Sequence, residues 1–390
     1  MASDAASSVV RKTERGMRMR RKHWAAAALA VACSGLAVWA AVASAAPKQQ
    51  ALTKITLQLK WVTQAQFAGY YAALTKGYYK QAGLDVKIKV GGPSITPETV
   101  VAGKQADFGL DWLPNLFATR EKGSNLVSIA QVFARSGMTE LTWKSSGIDS
   151  IAKMRGKKVG VWCCGNQPEL FAALQKNGID PNKTSDVTIV NQPFSMDLFL
   201  QHQVDAAAAM TYNELAQVLE TKNPNTGKLY TLKDLNVFKM ASPAVGTGML
   251  EDNVFVRGDW IKDKANQATA VKFLKASFQG WIYCRDHQAA CVSIVLKNGS
   301  LLGRGHQTWQ MNEINALTWP SPKGIGLPPA SAVVQTATIA KKYGVINNVP
   351  SGATNYTYAA KALAQLKAAG ADVYGKKWKK ANVKVTPGGK

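Results

Sequence analysis

The sequence predicts an α/β protein with two similar lobes, each built on an open parallel sheet with helices on both faces. Three observations lead to this fold class. Short β-rich runs alternate with longer runs of helical periodicity from about residue 52 onward. The order strand, helix, strand, helix, strand occurs twice, at 55–110 and again at 157–210. The 390 residues, 46% of them hydrophobic, are enough to form two cores of ordinary size.

The first series of elements begins at residue 55. Residues 55–60 (ITLQLK) alternate apolar and polar side chains, as a half-buried strand does, and residues 65–81 have apolar side chains at helical spacing up to Gly83. A strand at 84–90, a helix at 96–103, a strand at 106–110 and a helix at 113–122 follow. Pro97 suits the first turn of its helix, where no backbone N–H is needed.

The second series begins near residue 148 and repeats the pattern. It consists of a strand at 157–162, a helix at 168–177, a strand at 187–191, a helix at 196–201, a strand at 206–210 and a helix at 213–221. Strand-like residues at 249–256 and helices at 259–297 then indicate that the chain returns to the first lobe. We therefore expect a first lobe at 52–144 and 246–345, a second lobe at 145–245, and a C-terminal extension at 346–390 with a frayed end.

The first 45 residues have the pattern of a secretory signal peptide. A basic block precedes residues 24–46, none of which is charged, and small residues at 43–45 match what a signal peptidase requires. Cleavage is expected after Ala45 or Ala46, with the rest of the chain in the periplasm. The apolar run is also long enough for an uncleaved membrane anchor. Lipidation at Cys33 is disfavoured, because no leucine stands three residues before it.

The chain is strongly basic, with a formal net charge of +24. Seven bases and two acids lie in the first 45 residues, so the totals of 48 and 24 leave +19 for the remainder. The lysines are spread along the chain apart from a cluster at 376–380, and no aromatic RNA-binding motif, zinc-finger spacing or arginine-rich recognition helix occurs. We expect a solvated basic surface with weak attraction to an anionic cell envelope, and no nucleic-acid partner.

Four cysteines follow the signal segment. Cys284 and Cys291 flank a short segment where one helix is expected to end and another to begin, so a disulfide between them is predicted to staple this corner. Cys163 and Cys164 are adjacent, with Cα atoms only about 3.8 Å apart, below the usual disulfide range. We expect them to be free thiols in a turn, and a redox role is the alternative.

Four segments carry a resemblance to a known family: LQLKWVTQAQFAGYYAALTKGYYKQAGLDVKI (57–88), ADFGLDWLPN (106–115), MRGKKVGVW (154–162) and VDAAAAMTYNE (204–214). Together they resemble the family that joins substrate-binding proteins of ABC importers for nitrate, sulfonates and thiamine-pyrimidine precursors to the yeast-type pyrimidine synthases. The resemblance covers roughly residues 52–345. It implies a type II periplasmic-binding-protein fold, with two βαβ lobes joined by a two-crossing hinge around a ligand cleft. It also implies a monomer that delivers a small molecule to an inner-membrane permease.

Ligands of open α/β sheets collect at the carboxyl ends of the strands, where loops and helix N-termini converge. Flat rings and neutral hydrogen-bonding groups follow the predicted strands there. The candidate ligand-binding residues are Trp61, Gln66, Tyr70, Asp111, Trp112, Asn115, Trp162, Cys163, Cys164, Gly165, Asn166, Phe194, Tyr212, Asn213 and Glu214. Structural roles are the alternative for some of them. Trp61 and Trp112 could cover the first core, Asp111 could cap a helix, and Glu214 could be a first-turn helix acid.

These residue types indicate the chemistry of the ligand. Aromatic side chains stack on planar molecules, and Asp, Asn, Gln and Glu supply the donors and acceptors that fix the edge of a heterocycle. Arginine, which suits sulfonate, carboxylate or phosphate, stands at none of the predicted strand ends, since Arg120, Arg135 and Arg155 lie elsewhere. A neutral or weakly charged heteroaromatic ligand is favoured, such as a thiamine-pyrimidine precursor or riboflavin. A receptor for a sulfonate or nitrate oxyanion is the alternative.

An enzymatic activity is the alternative from another class. The resemblance implies that the synthase branch uses a lysine and a histidine where this chain has Asp111 and Asn115, and a cysteine-rich run where it has residues 245–248. The four histidines are scattered, and no phosphate-binding glycine loop or GxSxG motif occurs. We therefore expect a binding protein with no catalytic residue, cofactor or metal. A ligand-sensing lobe pair for a membrane partner fits the same residues.

Overall fold

The computed structural model describes residues 51–390, of which Leu52–Lys390 form a single unit. The predicted signal peptide at 1–45, with its alternatives of a membrane anchor and a lipidated Cys33, lies outside the described residues. Within the part of the chain that is described, no helix is both long and apolar enough to cross a membrane.

Two mixed five-stranded sheets form the framework. The first contains β1 (Thr53–Gln58), β2 (Leu84–Lys89), β3 (Phe108–Asp111), β4 (Leu126–Gln131) and β10 (Asn253–Arg257), in the order β2-β1-β3-β10-β4. β1 is parallel to β2 and β3, with Leu57 opposite both Ile88 and Phe108. β10 runs antiparallel to β3 and β4.

The second sheet contains β5 (Met138–Trp143), β6 (Lys158–Val161), β7 (Thr188–Asn191), β8 (Ala206–Met210) and β9 (Leu235–Lys239), in the order β7-β6-β8-β5-β9. β6 is parallel to β7 and β8, whereas β5 is antiparallel to β8 and β9. The two sheets therefore share one topology with one reversed strand each. The prediction of purely parallel sheets is corrected at β5 and β10.

The reversed strands mark where the chain changes sheets. It leaves the first sheet after β4 and enters the second at β5, and it returns between β9 and β10. The first crossing thus precedes residue 138, whereas the sequence boundary at 144 assigned β5 to the first lobe. β4 and β5 escaped prediction because every side chain in both is buried, so neither shows the alternation of a half-buried strand.

Helices cover both sheets. They are α1 (Ala68–Thr75), α2 (Tyr78–Gln81), α3 (Pro97–Ala102), α4 (Leu113–Glu121), α5 (Pro168–Lys176), α6 (Asp197–Leu200), α7 (Glu214–Leu219), α8 (Lys264–Asp286), α9 (Gln288–Lys297), α10 (Arg304–Thr318), α11 (Ala330–Lys342) and α12 (Thr357–Ala368). Short 3₁₀ helices occur at Ala65–Phe67, Lys144–Ser146, Ile151–Met154, Trp260–Lys262 and Pro387–Gly389. The helix predicted at 65–81 is divided at Gly77, whose φ of 74° favours glycine.

The first core is closed by a tight crossing of α1 and α8. A Cβ atom placed on Gly280 would lie 2.0 Å from the backbone oxygen of Gly69, and one placed on Gly69 would lie 2.2 Å from the ring of Trp281. Because neither glycine has a side chain, α1 and α8 can approach closely: Gly280 lies against the backbone of Gly69, and Gly69 lies against the ring of Trp281. Because α1 follows the loop after β1, this crossing also fixes that loop.

The end of the chain is packed against the protein. α12 contacts α8 and β4. The segment after α12 reaches α10, where Ala381 and Asn312 exchange two hydrogen bonds of 2.9 Å. The backbone N–H of Gly388 then donates to the backbone oxygen of Glu220 (3.0 Å). The expected fraying is therefore wrong, because the final residues find hydrogen-bond partners on two different elements.

The cysteines behave as two separate pairs. A disulfide joins Cys284 near the end of α8 to Cys291 in α9, with Cα atoms 5.3 Å apart. It spans the corner between the two helices. Cys163 and Cys164 are free thiols, of which Cys164 is exposed and Cys163 is half-buried.

Candidate ligand-binding site

A cleft lies where strand ends of the two sheets face each other. Its volume is about 330 Å³, including its open mouth. The first wall comes from residues that follow β1 and β3, namely Lys60, Trp61, Gln64, Gln66 and Trp112. The second wall comes from residues at or after the ends of β6 and β8, namely Trp162, Asn166, Met210, Tyr212, Asn213 and Glu214.

The first wall is organised by a buried ion pair. Lys60 lies beyond the end of β1, and its ammonium group contacts the carboxylate of Asp111 at the end of β3. The same ammonium lies 5.1 Å from the centre of the Trp112 ring. Asp111 also accepts hydrogen bonds from the backbone N–H of Trp112 (2.6 Å) and from Nδ2 of Asn115 (3.0 Å). The lysine charge is therefore neutralised within the wall.

Two further carboxyl groups lie behind the first wall. Burial raises the pKa of Glu98 well above its ordinary value, and the negative charge of Asp111 adds to the rise. Burial also raises the pKa of Asp252 to about 6. Asp252 accepts from Nε2 of Gln66 (2.9 Å), and Oε1 of Gln66 accepts from Nε2 of Gln64 (2.7 Å). This chain of bonds fixes both glutamine side chains along the wall.

Two polar atoms of the first wall have no hydrogen-bond partner among residues 51–390. They are the indole Nε1 of Trp112 and the amide Oε1 of Gln64, and both atoms are buried. Leaving such a group unpaired costs about 1–3 kcal/mol. A molecule that supplied one acceptor and one donor at the cleft would remove that cost. The first wall therefore contains one unpaired donor and one unpaired acceptor, both closed to solvent in this structure.

The second wall combines rings with neutral polar groups. Trp162 donates its Nε1–H to the backbone oxygen of Pro193 (3.2 Å), which fixes the ring. Nδ2 of Asn166 donates to the backbone oxygen of Cys163 (2.9 Å). Burial raises the pKa of Tyr212, so its hydroxyl group stays neutral. The wall thus offers two ring faces without a fixed positive charge.

Glu214, in the first turn of α7, is the acid of the second wall. Its Oε2 accepts from the backbone N–H of Met210 (3.0 Å), and its Oε1 accepts from Nδ2 of Asn213 (2.6 Å). Burial raises the pKa of Glu214 to about 7, although both hydrogen bonds act in the opposite direction. None of the ion pairs in the described part of the chain includes Glu214.

The two walls meet at the mouth of the cleft. Asn115, near the start of α4, donates from Nδ2 to the backbone oxygen of Gly165 (2.8 Å). Gly165 has a φ of 100° and Cys164 has a φ of 67°, so this loop turns through left-handed conformations. A Cβ atom on Gly165 would lie 2.6 Å from Nδ2 of Asn115. Glycine at 165 therefore permits the contact that closes the mouth.

A cluster of acids joins the two crossings between the sheets. The carboxylate of Glu251 accepts from the backbone N–H groups of Gly137 (2.8 Å) and Met138 (3.1 Å). The hydroxyl of Ser136 lies 3.0 Å from Glu251 and 2.7 Å from Glu169. One hydroxyl hydrogen serves one carboxylate, so the second contact requires a carboxyl proton. Consistently, burial raises the pKa of Glu169 to about 8.

The structure brings just over half of the candidate residues together in the cleft. Those that line it are Trp61, Gln66, Trp112, Trp162, Asn166, Tyr212, Asn213 and Glu214. Asp111 lies behind the first wall, Asn115 bonds to Gly165 across the two walls, and Cys163 and Cys164 do not line the cleft. Tyr70 does not reach the cleft, because it packs edge-on against Trp281 in the first core, 5.7 Å between ring centres. Phe194 is half-buried and does not line the cleft. The rings of Trp61, Trp112, Trp162 and Tyr212 line the cleft and at the same time belong to the hydrophobic core, so the predicted core-covering role of Trp61 and Trp112 also holds.

Three residues of the walls were not among the candidates. Lys60 was placed inside the first strand, whereas β1 ends at Gln58, so Lys60 stands in the loop that lines the cleft. Gln64 belongs to the same loop. Met210 is the last residue of β8, and its apolar side chain gave no polar or aromatic pattern. If the end of β1 had been predicted at Gln58, Lys60 would have been included among the residues that follow the strand.

The arrangement is suited to holding a flat molecule between rings. Rings on both walls provide stacking surfaces, and the amide, indole and carboxyl groups can pair with its edge. Among residues 51–390, no group of three or more His, Cys, Asp or Glu side chains could hold a metal ion.

Sequence comparison identifies related proteins. The sequence model of the family described as NMT1/THI5 like matches residues 64–291. A Haemophilus influenzae protein named for thiamine biosynthesis is 27% identical over 166 residues, 42% of this chain and 52% of that protein. The Saccharomyces cerevisiae 4-amino-5-hydroxymethyl-2-methylpyrimidine phosphate synthase THI11 is 33% identical over 109 residues, 27% of this chain and 32% of the synthase. The alignments thus span about half and a third of these relatives.

Solved structures share the fold. The periplasmic aliphatic sulphonate binding protein SsuA from Escherichia coli has a TM-score of 0.54 at 15% identity, covering 77% of this chain and 90% of that chain. At this identity the likeness concerns the fold alone. It confirms the predicted class, a type II periplasmic-binding-protein fold with two α/β lobes.

Proposed function

This chain belongs to the NMT1/THI5-like family, and from that premise we propose that it is an exported solute-binding protein. It captures a small heteroaromatic molecule between its two lobes and does not change it chemically. The periplasmic-binding-protein fold and the cleft between the sheets support this role. The proposed residues of contact are those of the two walls.

The composition of the cleft carries the proposal. Trp61 and Trp112 line the first wall and Trp162 and Tyr212 the second, so a planar ligand held between the walls would have aromatic rings on both sides. The unpaired indole N–H of Trp112 and the unpaired carbonyl of Gln64 lie on the first wall. A heterocycle with an acceptor and a donor on its edge satisfies both groups.

The charges of the cleft favour a neutral or N–H-donating ligand over an oxyanion. Lys60 is neutralised by Asp111, and Glu214 adds an acid that lacks a cationic partner among the described residues. Arginine, whose guanidinium group suits sulfonate or nitrate recognition, is absent from the walls that residues 51–390 form. A sulfonate or nitrate receptor remains the alternative ligand class that a binding experiment must test.

The size of the cleft favours a pyrimidine over a flavin. Its volume of about 330 Å³ includes the open space at the mouth, so the enclosed part is much smaller. A one-ring thiamine-pyrimidine precursor therefore needs less opening of the mouth than a three-ring flavin does.

Closure of the lobes is the proposed signal to a membrane partner. The contact between Asn115 and Gly165 joins the two walls at the mouth, and the crossings at 132–137 and 240–252 supply the hinge. Ligand contacts from both walls stabilise the closed form, which the permease of an ABC importer recognises. The signal-peptide pattern at 1–45 supports a periplasmic location, where the protein acts as a monomer.

Mass spectrometry of natively purified protein tests the ligand class. We expect a pyrimidine to be released on denaturation, and 4-amino-5-hydroxymethyl-2-methylpyrimidine to raise the melting temperature in a thermal-shift panel that also contains riboflavin and alkanesulfonates. A shift by sulfonates alone would contradict the heteroaromatic proposal and support the oxyanion receptor.

A pair of tryptophan variants tests the cleft itself. Trp112→Phe removes the unpaired indole N–H of the first wall and keeps most of the ring, so we expect about tenfold weaker pyrimidine binding. Trp319→Phe is the matched control, because its indole N–H is also buried without a partner in the described chain but does not line the cleft. Equal affinity of the two variants would contradict the proposed site.

A pyrimidine-phosphate synthase is the second candidate function. The name of the yeast relative favours it, and Lys60 supplies a buried amine next to the cleft. Against it, Asp111 and Asn115 stand where the resemblance implies the catalytic lysine and histidine. Incubation of the protein with thiamine-pathway precursors, followed by mass spectrometry of the small molecules, separates the two functions: new product supports the enzyme, and unchanged ligand supports the receptor.

A further inference from the structure

A line of four polar side chains runs from α10 to the cleft. His306 is fully buried on α10, and its Nδ1 lies 3.0 and 2.9 Å from the two carboxylate oxygens of Glu220. Its Nε2 lies 2.8 Å from Oδ1 of Asn213. Nδ2 of Asn213 lies 2.6 Å from Oε1 of Glu214. His306 therefore reaches the acid of the second wall through a single amide group.

The donors and acceptors of this line restrict its protonation. A carboxylate only accepts, so Nδ1 of His306 carries a hydrogen toward Glu220. With Nδ2 of Asn213 directed at Glu214, Oδ1 of Asn213 faces Nε2 of His306. Two acceptors cannot bond to each other, so Nε2 must also carry a hydrogen. In this arrangement His306 is an imidazolium and Glu214 is a carboxylate.

The amide of Asn213 can also be turned the other way, because its oxygen and nitrogen occupy equivalent positions. Nδ2 then donates to Nε2 of a neutral His306, and Oδ1 faces Glu214. That contact requires a hydrogen on the carboxyl group of Glu214. Both arrangements contain one proton, held by His306 in the first and by Glu214 in the second.

Without that proton, the hydrogen bonds among these four side chains cannot all form. With neutral His306 and ionised Glu214, either orientation of Asn213 places two acceptors face to face, at a site closed to water. Such a pair is costly in a buried environment. Burial raises the pKa of Glu214 to about 7, in agreement with a carboxyl group able to hold the proton.

The other charged groups near this line lie on α7, on α10 and on the segments packed against α10. Glu220 is the charged group that contacts the imidazole among residues 51–390. The 3₁₀ helices packed on α10, Ala65–Phe67 and Pro387–Gly389, carry no charged side chain. Lys390, which follows the second of them, lies against the start of α10 at Gly305, and its backbone oxygen accepts from the hydroxyl of Thr386 (2.6 Å). Arg304, on α10 itself, bonds to Ser293 of α9 (3.1 Å) and not to His306. The proton is therefore held either by His306, together with Glu220 at its Nδ1, or by Glu214.

We propose that His306 is a positioning residue that turns Asn213 and thereby sets whether Glu214 presents a carboxylate or a carboxyl group to the ligand. This role rests on the proposed binding function and determines which ligands the site selects. A ligand with N–H donors on its edge, such as an aromatic amidine, selects the carboxylate form and moves the proton onto His306. A ligand with an acceptor edge selects the carboxyl form. Neither requires proton exchange with the solvent.

Calorimetry, which measures the number of protons released on ligand binding, tests the role of His306. The probe is benzamidine, an aromatic N–H donor that stays cationic near neutral pH, titrated near pH 6 in buffers of different ionisation enthalpy. The wild type is expected to release no proton on binding. His306→Gln cannot hold the proton, so Glu214, with a pKa of about 7, must release about 0.9 proton to bind the probe. His202→Gln, an exposed histidine of the second lobe, is the control and should match the wild type.

The affinity of the probe gives a second readout. Binding to His306→Gln should be about tenfold weaker near pH 6 than near pH 8, since Glu214 is mostly protonated at the lower pH. The wild type should change less than the variant, because at pH 6 His306 takes up the proton that Glu214 gives up. Identical proton release and pH profiles for the two proteins would overturn the proposal. If His306→Gln does not fold, Glu220→Gln should shift both readouts in the same direction, because it removes the charge that favours the imidazolium.

The ligand-free protein supplies a test that needs no binding. Replacing Glu214 by Gln near pH 7 should shift the ¹⁵N resonance of Nε2 in His306 and leave those of His202 and His287 in place. An unchanged Nε2 resonance would overturn the coupling. These experiments distinguish a failure of the receptor function from a failure of the role of His306. Heterocycles that do not bind would contradict the receptor function while the resonance still responds, whereas pyrimidine binding with an unresponsive resonance would contradict only the role of His306.

Discussion

The two walls of the cleft hold their acids in different ways. On the first wall, the carboxylate of Asp111 is paired directly with Lys60; Asp111 ends β3 and Lys60 follows β1, the neighbouring strand of the same sheet. On the second wall, Glu214 lacks a cation among the described residues and is linked through Asn213 to His306 of α10. The acid of the first wall is paired next to its own sheet, whereas the acid of the second depends on a helix from elsewhere in the chain.

α10 connects the two walls. The side-chain oxygens of Gln307 and Gln310 both accept from the backbone N–H of Ala65, in the loop of the first wall (2.7 and 2.9 Å). Trp309, on the same helix, donates its Nε1–H to the backbone oxygen of Thr211 beside the second wall (3.0 Å). Both walls therefore lean on α10 through backbone contacts, and they differ in the acid: α10 contacts Glu214 through Asn213, whereas Asp111 finds its cation next to its own sheet.

The largest effect is expected at the ion pair of the first wall. Lys60→Met leaves Asp111 buried without its cation, which should lower the free energy of unfolding by about 3–5 kcal/mol. Urea denaturation measures the loss. The double variant Lys60→Met/Asp111→Asn should recover part of it, because no unpaired charge remains. A loss below about 1 kcal/mol for the single variant would mean that the pair behaves as a surface ion pair.

The acid of the second wall is expected to make stability depend on pH. Below pH 4.5 Glu214 is protonated in both the folded and the unfolded chain, and between 4.5 and about 7 only the folded chain keeps the proton. Stability therefore falls as pH rises through this window, by about 1.4 kcal/mol per pH unit and about 3 kcal/mol in all.

The variant Glu214→Gln isolates this contribution. Other buried acids also titrate, so the free energies of unfolding of wild type and variant are compared at pH 5 and near pH 7.5. The decline between these two points should be about 3 kcal/mol smaller in the variant. Parallel curves for the two proteins would show that Glu214 is not the acid with the raised pKa.

Removing one ring from either wall should weaken pyrimidine binding by similar amounts. Trp61→Leu on the first wall and Trp162→Leu on the second each lose a stacking face, worth about 0.5–1.5 kcal/mol beyond the buried area, or about tenfold in affinity. Titration calorimetry measures the change. Trp260→Leu is the matched control, because Trp260 packs edge-on against Phe108 and does not line the cleft. A loss confined to one wall would show that the ligand stacks on that wall alone.

The smallest effect is expected at the contact between the walls. Asn115→Ala removes the hydrogen bond to Gly165 and should reduce ligand affinity by about fivefold, since one such bond contributes about 1 kcal/mol. Small-angle scattering should report a lower closed fraction at equal ligand concentration. Asn177→Ala, which removes a hydrogen bond within the second lobe, is the control. An unchanged closed fraction would mean that the contact between Asn115 and Gly165 follows closure and does not favour it.

The sequence predicted those parts of the cleft whose chemistry is local. Trp61, Trp112, Trp162 and Tyr212 were recognisable because aromatic residues directly after predicted strands are noticeable in the sequence. The sequence did not show that these rings are also buried in the hydrophobic core. Lys60 was missed because the alternation of residues 55–60 continues past the true end of β1. Tyr70 was misplaced because helical spacing leaves open which face of α1 packs against α8.

By itself, the sequence determined the fold class and the positions of most strands and helices, since hydrophobic periodicity and turn residues act over a few neighbouring positions. It also determined that aromatic and neutral polar groups dominate the strand ends. The tertiary structure alone decided the reversed strands, the pairing of Lys60 with Asp111, and the link from His306 to Glu214. Lys60 and Asp111 are 51 positions apart, and His306 contacts Glu220 and Asn213 at 86 and 93 positions. No local pattern specifies which distant partners meet when the helices and sheets pack.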